Sequence, residues 1–173
     1  MSFDTMNFEK DYFLELAAYN RWANGLLYDV VATLDEADYL ADRGAFFGSM
    51  HRTLCHIYVG DAIWMGRMNA RPARFKSLDA APFDDFASLR AGRQEMDEHI
   101  EDTVRRIAVG DVGRAFPYHD IAGNEQSVPL CVALAHVFNH ETHHRGQVHD
   151  MLSQLGKEAP AIDLIYYHIA QKG

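Results

Sequence analysis

Cysteine is scarce in this chain of 173 residues: Cys55 and Cys131 are the only two, without CxxC spacing. That excludes a disulfide framework, and the expectation is two buried thiols. Proline and glycine, at 5 and 12 residues, nowhere gather with serine into a linker, and no internal repeat divides the chain, so residues 1–173 read as one domain. Positive charge is also short, with 16 Lys and Arg against 25 Asp and Glu and a formal net charge of -9. Without a basic cluster, nucleic acid and anionic membrane surfaces are not expected partners. No stretch approaches the roughly 18 apolar residues of a membrane span. The opening segment MSFDTMNFEKDYF has neither a basic n-region nor an apolar h-region, so the expectation is a cytoplasmic, non-membrane protein.

What the chain does have is hydrophobic periodicity. Phe13, Leu16, Ala17, Leu27, Val31 and Leu34 recur at about 100° per residue and predict a first helix from about Asn7 to Leu34. A second runs from Ser49, a suitable N-cap, to Met68, with Thr53, Ile57, Gly60, Ile63 and Trp64 inward and Arg71-Pro72 ending it. A third begins after Pro82 and reaches about Ala108, carrying Phe86, Leu89, Met96, Ile100, Val104 and Ile107, with Gly110 as a stop signal. The fourth starts near Pro129 and ends at Leu155, with Gly156 as C′ residue, and a short tail helix spans Leu164 to Ala170. Between Phe116 and Val128 the extended character around a Gly-Asn turn predicts an irregular hairpin or an ordered loop. The fold class is therefore all-α: a four-helix bundle with a long crossover between the third and fourth helices and a short C-terminal helix.

Histidines occupy unexpected places in this pattern. With His140 at 0° on a wheel, His144 falls at about 40°, inside the arc holding Val137, Val148, Met151 and Leu155. His136 and His143 lie on the flank, and His149 falls near about 180°, toward solvent. On the second helix His56 sits at the edge of the apolar arc, whereas His51 points away by about 140°. An isolated histidine on an apolar face is commonly a hydrogen-bonded core residue. Two at i and i+4 bring polar atoms that cost roughly 1–3 kcal/mol each if unpaired, and one ion satisfies both. His140 and His144, with His56 from a neighbouring helix, thus form a candidate three-histidine metal site. Three imidazoles leave coordination positions open for water or substrate, unlike a closed structural zinc site. Spacing does not choose among zinc, nickel, iron and copper, and the expectation is a divalent transition metal, zinc or nickel ahead of iron.

The run His140-Glu141-Thr142-His143-His144 also matches HExxH, in which the glutamate is the general base of a zinc protease. The extended form fails, because Gln147 and Asp150 stand where Gly and His are required. Such proteases hold their substrate along a sheet edge, for which the sequence offers no more than a hairpin. Glu141, at about 100°, is either an outer support or base for the site or an ion pair at the bundle edge. Asn20 and Asn24, at i and i+4 on the inner stripe of the first helix, either support the ligands or bond to backbone and each other. Gln147, at about -20°, is placed at the mouth, and Arg145, at about 140°, reads as an edge ion pair. Tyr118 either overhangs the site or faces solvent. Arg93 and Arg52 are the basic residues nearest the candidate site, and such side chains usually extend to the surface.

The segment YNRWAN (Tyr19 to Asn24), the inner-face His56 followed by Trp64, the HxxxHRGQ block (His140 to Gln147) and the closing LGKEAPAIDLIYY together resemble the DinB family of bacterial four-helix-bundle proteins, over nearly the whole chain. The resemblance implies a divalent metal on His56, His140 and His144. It also implies a metal-dependent transferase or isomerase using a low-molecular-weight thiol such as glutathione, mycothiol or bacillithiol, and a homodimer. The expected function is an open three-histidine metalloenzyme of the thiol-dependent transferase kind acting on a small molecule. A metal-dependent hydrolase and a non-catalytic, metal-stabilised stress-response module are the alternatives.

Overall fold

In the first helix, Phe13, Ala17, Asn20, Asn24, Leu27 and Val31 follow one another at alternating intervals of four and three residues, and all six are buried. This row faces the core of α1 (Phe8–Val31), and it places two asparagines among hydrophobic neighbours. The computed structural model describes residues 8–72 and 74–172. Asn7, the expected start of the first helix, lies outside the described residues.

Local chemistry sets the other boundaries. α1 ends at Val31 rather than Leu34, because the chain turns into a short helix α2 (Glu36–Leu40) capped by Asp35, whose carboxylate accepts the Asp38 N–H at 2.7 Å. Ser49 Oγ accepts the Arg52 N–H and opens α3 (Met50–Met68). Asp85, capping the Ser88 N–H at 2.7 Å, delays α4 (Phe86–Arg106) past Pro82. After a 3-10 turn at Val109–Asp111, strands β1 (Ala115–His119) and β2 (Glu125–Pro129) form an antiparallel hairpin, pairing Ala115 with Pro129 and His119 with Glu125. Its turn is closed by Asp120, which accepts both the backbone and the side-chain N–H of Asn124 at 2.9 Å. The expected ordered crossover is thus a regular hairpin, packed on α5 (Leu130–Gln154). Gly156, at φ 69°, ends α5 with the Lys157 N–H returning to Leu152 O, and α6 (Leu164–Ala170) follows.

The four long helices close a ring in which α1 and α3 each pack on both α4 and α5. α2 rests on α3, and α6 on α1, where Tyr19 donates to Ile162 O at 2.8 Å and Tyr167 packs against Tyr19 and Trp22. Cys55 is buried and Cys131 half-buried. Among the described residues no helix is long and apolar enough to cross a membrane. For the site, the consequence is that α5 has two buried sides, one against α3 and one against α1.

Candidate metal centre

The α3 side of α5 carries His140 and His144, one turn apart, and α3 brings His56 to meet them. One ring nitrogen from each lies within 4.8 Å of the others, and His56 Nε2 is 3.0 Å from His140 Nε2. Hydrogen bonds on the far side of two rings fix their tautomers. Leu78 O can only accept, so His56 Nδ1 carries the proton of their 3.0 Å bond. Gln147 Oε1 accepts from His144 Nδ1 at 2.8 Å, while the amide nitrogen of Gln147 donates to His143 Nε2 at 3.3 Å. Both rings therefore present bare Nε2 lone pairs to the centre. The 3.0 Å between His56 Nε2 and His140 Nε2 is close to the roughly 3.3 Å that separates two nitrogens bound to one tetrahedral zinc at about 2.0–2.1 Å. The donor set fits a divalent transition metal.

Burial lowers all three imidazoles below the ordinary histidine range. His140 is pushed down to about 3, first by burial and then by the neighbouring rings of His144 and His56. Neutral rings are the ligating form. Close backbone approach also shapes the site: a Cβ at Gly60 would stand 2.8 Å from His140 Cε1 and 3.3 Å from Nδ1, so glycine is what admits this ring against α3. Phe47 covers another side, stacked on His56 with ring centroids 3.9 Å apart and edge-on to His144 at 5.6 Å.

The α1 side of α5 is charged. Glu141, fully buried, meets Arg93 of α4 through Oε1 and Arg145 through Oε2, each at 3.0 Å. Arg93 also pairs with Asp61 of α3 and with Asp97, the latter at 3.0 Å. Asn24 donates to Asp97 at 3.0 Å and Asn20 to Glu141 at 3.2 Å, while both amide oxygens accept from Arg145. Burial pushes Asp61 well above the usual carboxylate range, the neighbouring Glu141 raises it further, and Arg93, which donates to it, pulls it back. Burial would raise Glu141 too, but Arg93, the bond from Asp61 and Arg145 outweigh it and hold it at about 2. Two arginines thus face three carboxyl groups, of which burial raises Asp61 and Asp97 while Glu141 is held low.

These positions correct parts of the sequence reading. Arg145, expected at the bundle edge, is buried, as is Arg93, because each is surrounded by oxygen acceptors. Asn20, Asn24 and Glu141 bond to this cluster and to none of the three candidate ligands. Of the four residues considered as outer supports, Gln147 is the one that bonds a ligand. Glu141, with both oxygens held by arginine, is shut away from any substrate, which removes the protease reading. Tyr118 is half-buried against Trp64, Arg52 donates outward to Asp79 O, and His51 is buried, bonded to the Tyr39 hydroxyl at 2.8 Å. His136, in an exposed position, stacks on His140 and lies tilted against Trp64, and His149 is half-buried. Phe47, the clearance at Gly60 and the Leu78 carbonyl are missed by sequence reasoning; only Gly60, four residues after His56, carries a signal.

A cavity of about 490 Å³ opens beside the histidines, with His56, His140, Trp64 and Tyr118 in its wall. Comparison with known proteins agrees with this architecture. Protein DinB of Bacillus subtilis (strain 168) is 23% identical over 166 residues, spanning 91% of this chain and 94% of that protein. The crystal structure of a DinB-like protein from Bacillus cereus ATCC 10987 superposes with a TM-score of 0.65 at 16% identity, covering 86% of this chain and 94% of that one. The family model described as "DinB family" matches residues 3–173, and the chain belongs to the DinB family.

Proposed function

We propose that this protein is a divalent-metal-dependent transferase that uses a small thiol co-substrate, with zinc or nickel as the ion, iron as a further candidate, and His56, His140 and His144 as its ligands. The observation that carries this reading is the convergence of three neutral imidazoles beside a cavity. Among the described residues no fourth His, Cys, Asp or Glu joins the group, which favours an open catalytic site over a closed structural one. A divalent ion at this position supplies Lewis acidity, bringing a thiol toward its thiolate near neutral pH. The chain's own residues orient and exclude: Leu78 and Gln147 hold two rings in their ligating tautomers, Phe47 keeps water off one side, and Trp64 and Tyr118 offer flat faces to a small substrate. In the transfer step sulfur forms a bond to an electrophilic carbon, the leaving group departs with its electron pair, and the thiol proton passes to solvent. A cytoplasmic location and a homodimeric state belong to the same proposal.

The test is elemental mass spectrometry on protein purified without an affinity tag, comparing wild type with the double variant His140→Ala, His144→Ala. About one equivalent of metal in wild type and none in the variant is expected of a single three-ligand site. The loaded enzyme should then transfer bacillithiol, mycothiol or glutathione to a model electrophile. No metal after reconstitution with zinc, nickel or iron would overturn the reading.

A further inference from the structure

In a chain of net charge -9, a basic group without an acidic partner stands out. Among the described residues, seven of the 16 Lys and Arg side chains meet carboxylates. Four more donate to uncharged oxygens. Three of the remaining five, Arg67, Arg71 and Lys76, line a single cavity of about 540 Å³. It shares Ile63, Arg67, Tyr118, Asp120 and Ile121 with the cavity on which His56 and His140 open, so the two are compartments of one groove with Arg67 at their junction.

The cationic end is built into the fold. The Arg67 guanidinium lies 4.6 Å from the Trp64 ring centroid and 4.8 Å from that of Tyr118, held between an α3 side chain and a hairpin side chain. Arg71 follows the reversal that ends α3, where Ala70 takes a left-handed φ of 51° and the Arg71 N–H returns to Gly66 O at 2.8 Å. A non-glycine residue held there is strained, and such strain gathers at functional sites. Asp120, the carboxylate in the same wall, is occupied by Asn124 and lies outside ion-pair distance of all three cations. It attracts Arg67 at longer range without neutralising it.

We infer that this groove binds an organic anion, a carboxylate, sulfonate or phosphate ester, with its charge among Arg67, Arg71 and Lys76 and its apolar body along Trp64 and Tyr118. The inference rests on the proposed function only for which end of the ligand reacts, since the end beside His56 and His140 is the one left free. Anion recognition stands apart from the metal. The substrate class it names is a small acid whose electrophilic or thiol-bearing end lies opposite its charge.

The test is isothermal titration of metal-loaded protein with naphthalene-2-sulfonate, a poor metal ligand, and with the neutral 2-(methylsulfonyl)naphthalene. Wild type should prefer the sulfonate by about tenfold or more, as expected for a ligand charge facing cations that meet no carboxylate among the described residues. The preference should fall to within about twofold in Arg71→Glu, Lys76→Glu and survive in Lys157→Glu, Lys172→Glu, which changes net charge equally outside the groove. No binding, equal affinities in wild type, or a preference that persists in the first variant would overturn the inference. In His140→Ala, His144→Ala the preference should remain. Absence of metal from wild type with the preference intact would sink the proposed function alone, and loss of preference with metal retained would sink this inference alone.

Discussion

Replacing Gly60 by alanine should separate metal affinity from fold stability. The added Cβ would stand 2.8 Å from His140 Cε1, and an ordinary contact begins near 3.4 Å, so the ring must retreat by about 0.6 Å. Metal–ligand distances tolerate about 0.2 Å, so a shift about three times larger takes Nε2 out of register with the other two ligands. The expected loss is about 10- to 100-fold in metal affinity, or about 1.4–2.7 kcal/mol. Stability should change less, because local overpacking of about 1–3 kcal/mol is offset by the roughly 1 kcal/mol that alanine gains over glycine inside a helix. The assay is zinc competition against a chromophoric chelator, run beside urea unfolding of the metal-free protein. Affinity within about twofold of wild type, with urea stability also unchanged, would refute the placement of His140 against α3.

Two further predictions concern the charged cluster. Arg93→Met should destabilise the protein by about 3–5 kcal/mol, since it strands buried carboxylates. Asp61→Asn should cost under about 1 kcal/mol, because burial favours the uncharged form of Asp61 and an amide preserves a donor toward Glu141; urea unfolding of both variants checks the contrast, and equal losses would contradict this reading of Asp61. Asp97 is raised by burial, against the pull of Arg93, to about 6 from its usual 3.8. A carboxyl raised on folding contributes stability that is full below about 3.8 and lost as pH climbs through about 6. The stability difference between wild type and Asp97→Asn should therefore shrink in wild type's disfavour from pH 4 to pH 6, and a flat difference would show that Asp97 titrates normally.

The apolar rows of the long helices, the Ser49 cap, the Gly156 stop and the i, i+4 pair of histidines were legible from residue order alone. They depend on a helix's own period and its terminal hydrogen bonds, which are local. The five residues of α2 are too few to establish a period, and the hairpin's regular pairing needed its antiparallel register. Tertiary structure decided which faces meet. A wheel gives direction about one axis, and with a single apolar arc as inward it set Arg145 at the bundle edge; α5, however, packs on α3 with one side and on α1 with another. The arc through Glu141 and Arg145 is therefore as buried as the arc through His140 and His144, and polar side chains from three other helices bond to it or to its partners. The Leu78 carbonyl, the room left by Gly60 and the meeting of Arg67, Arg71 and Lys76 arise from segments distant in sequence, so their chemistry exists only once the bundle has closed.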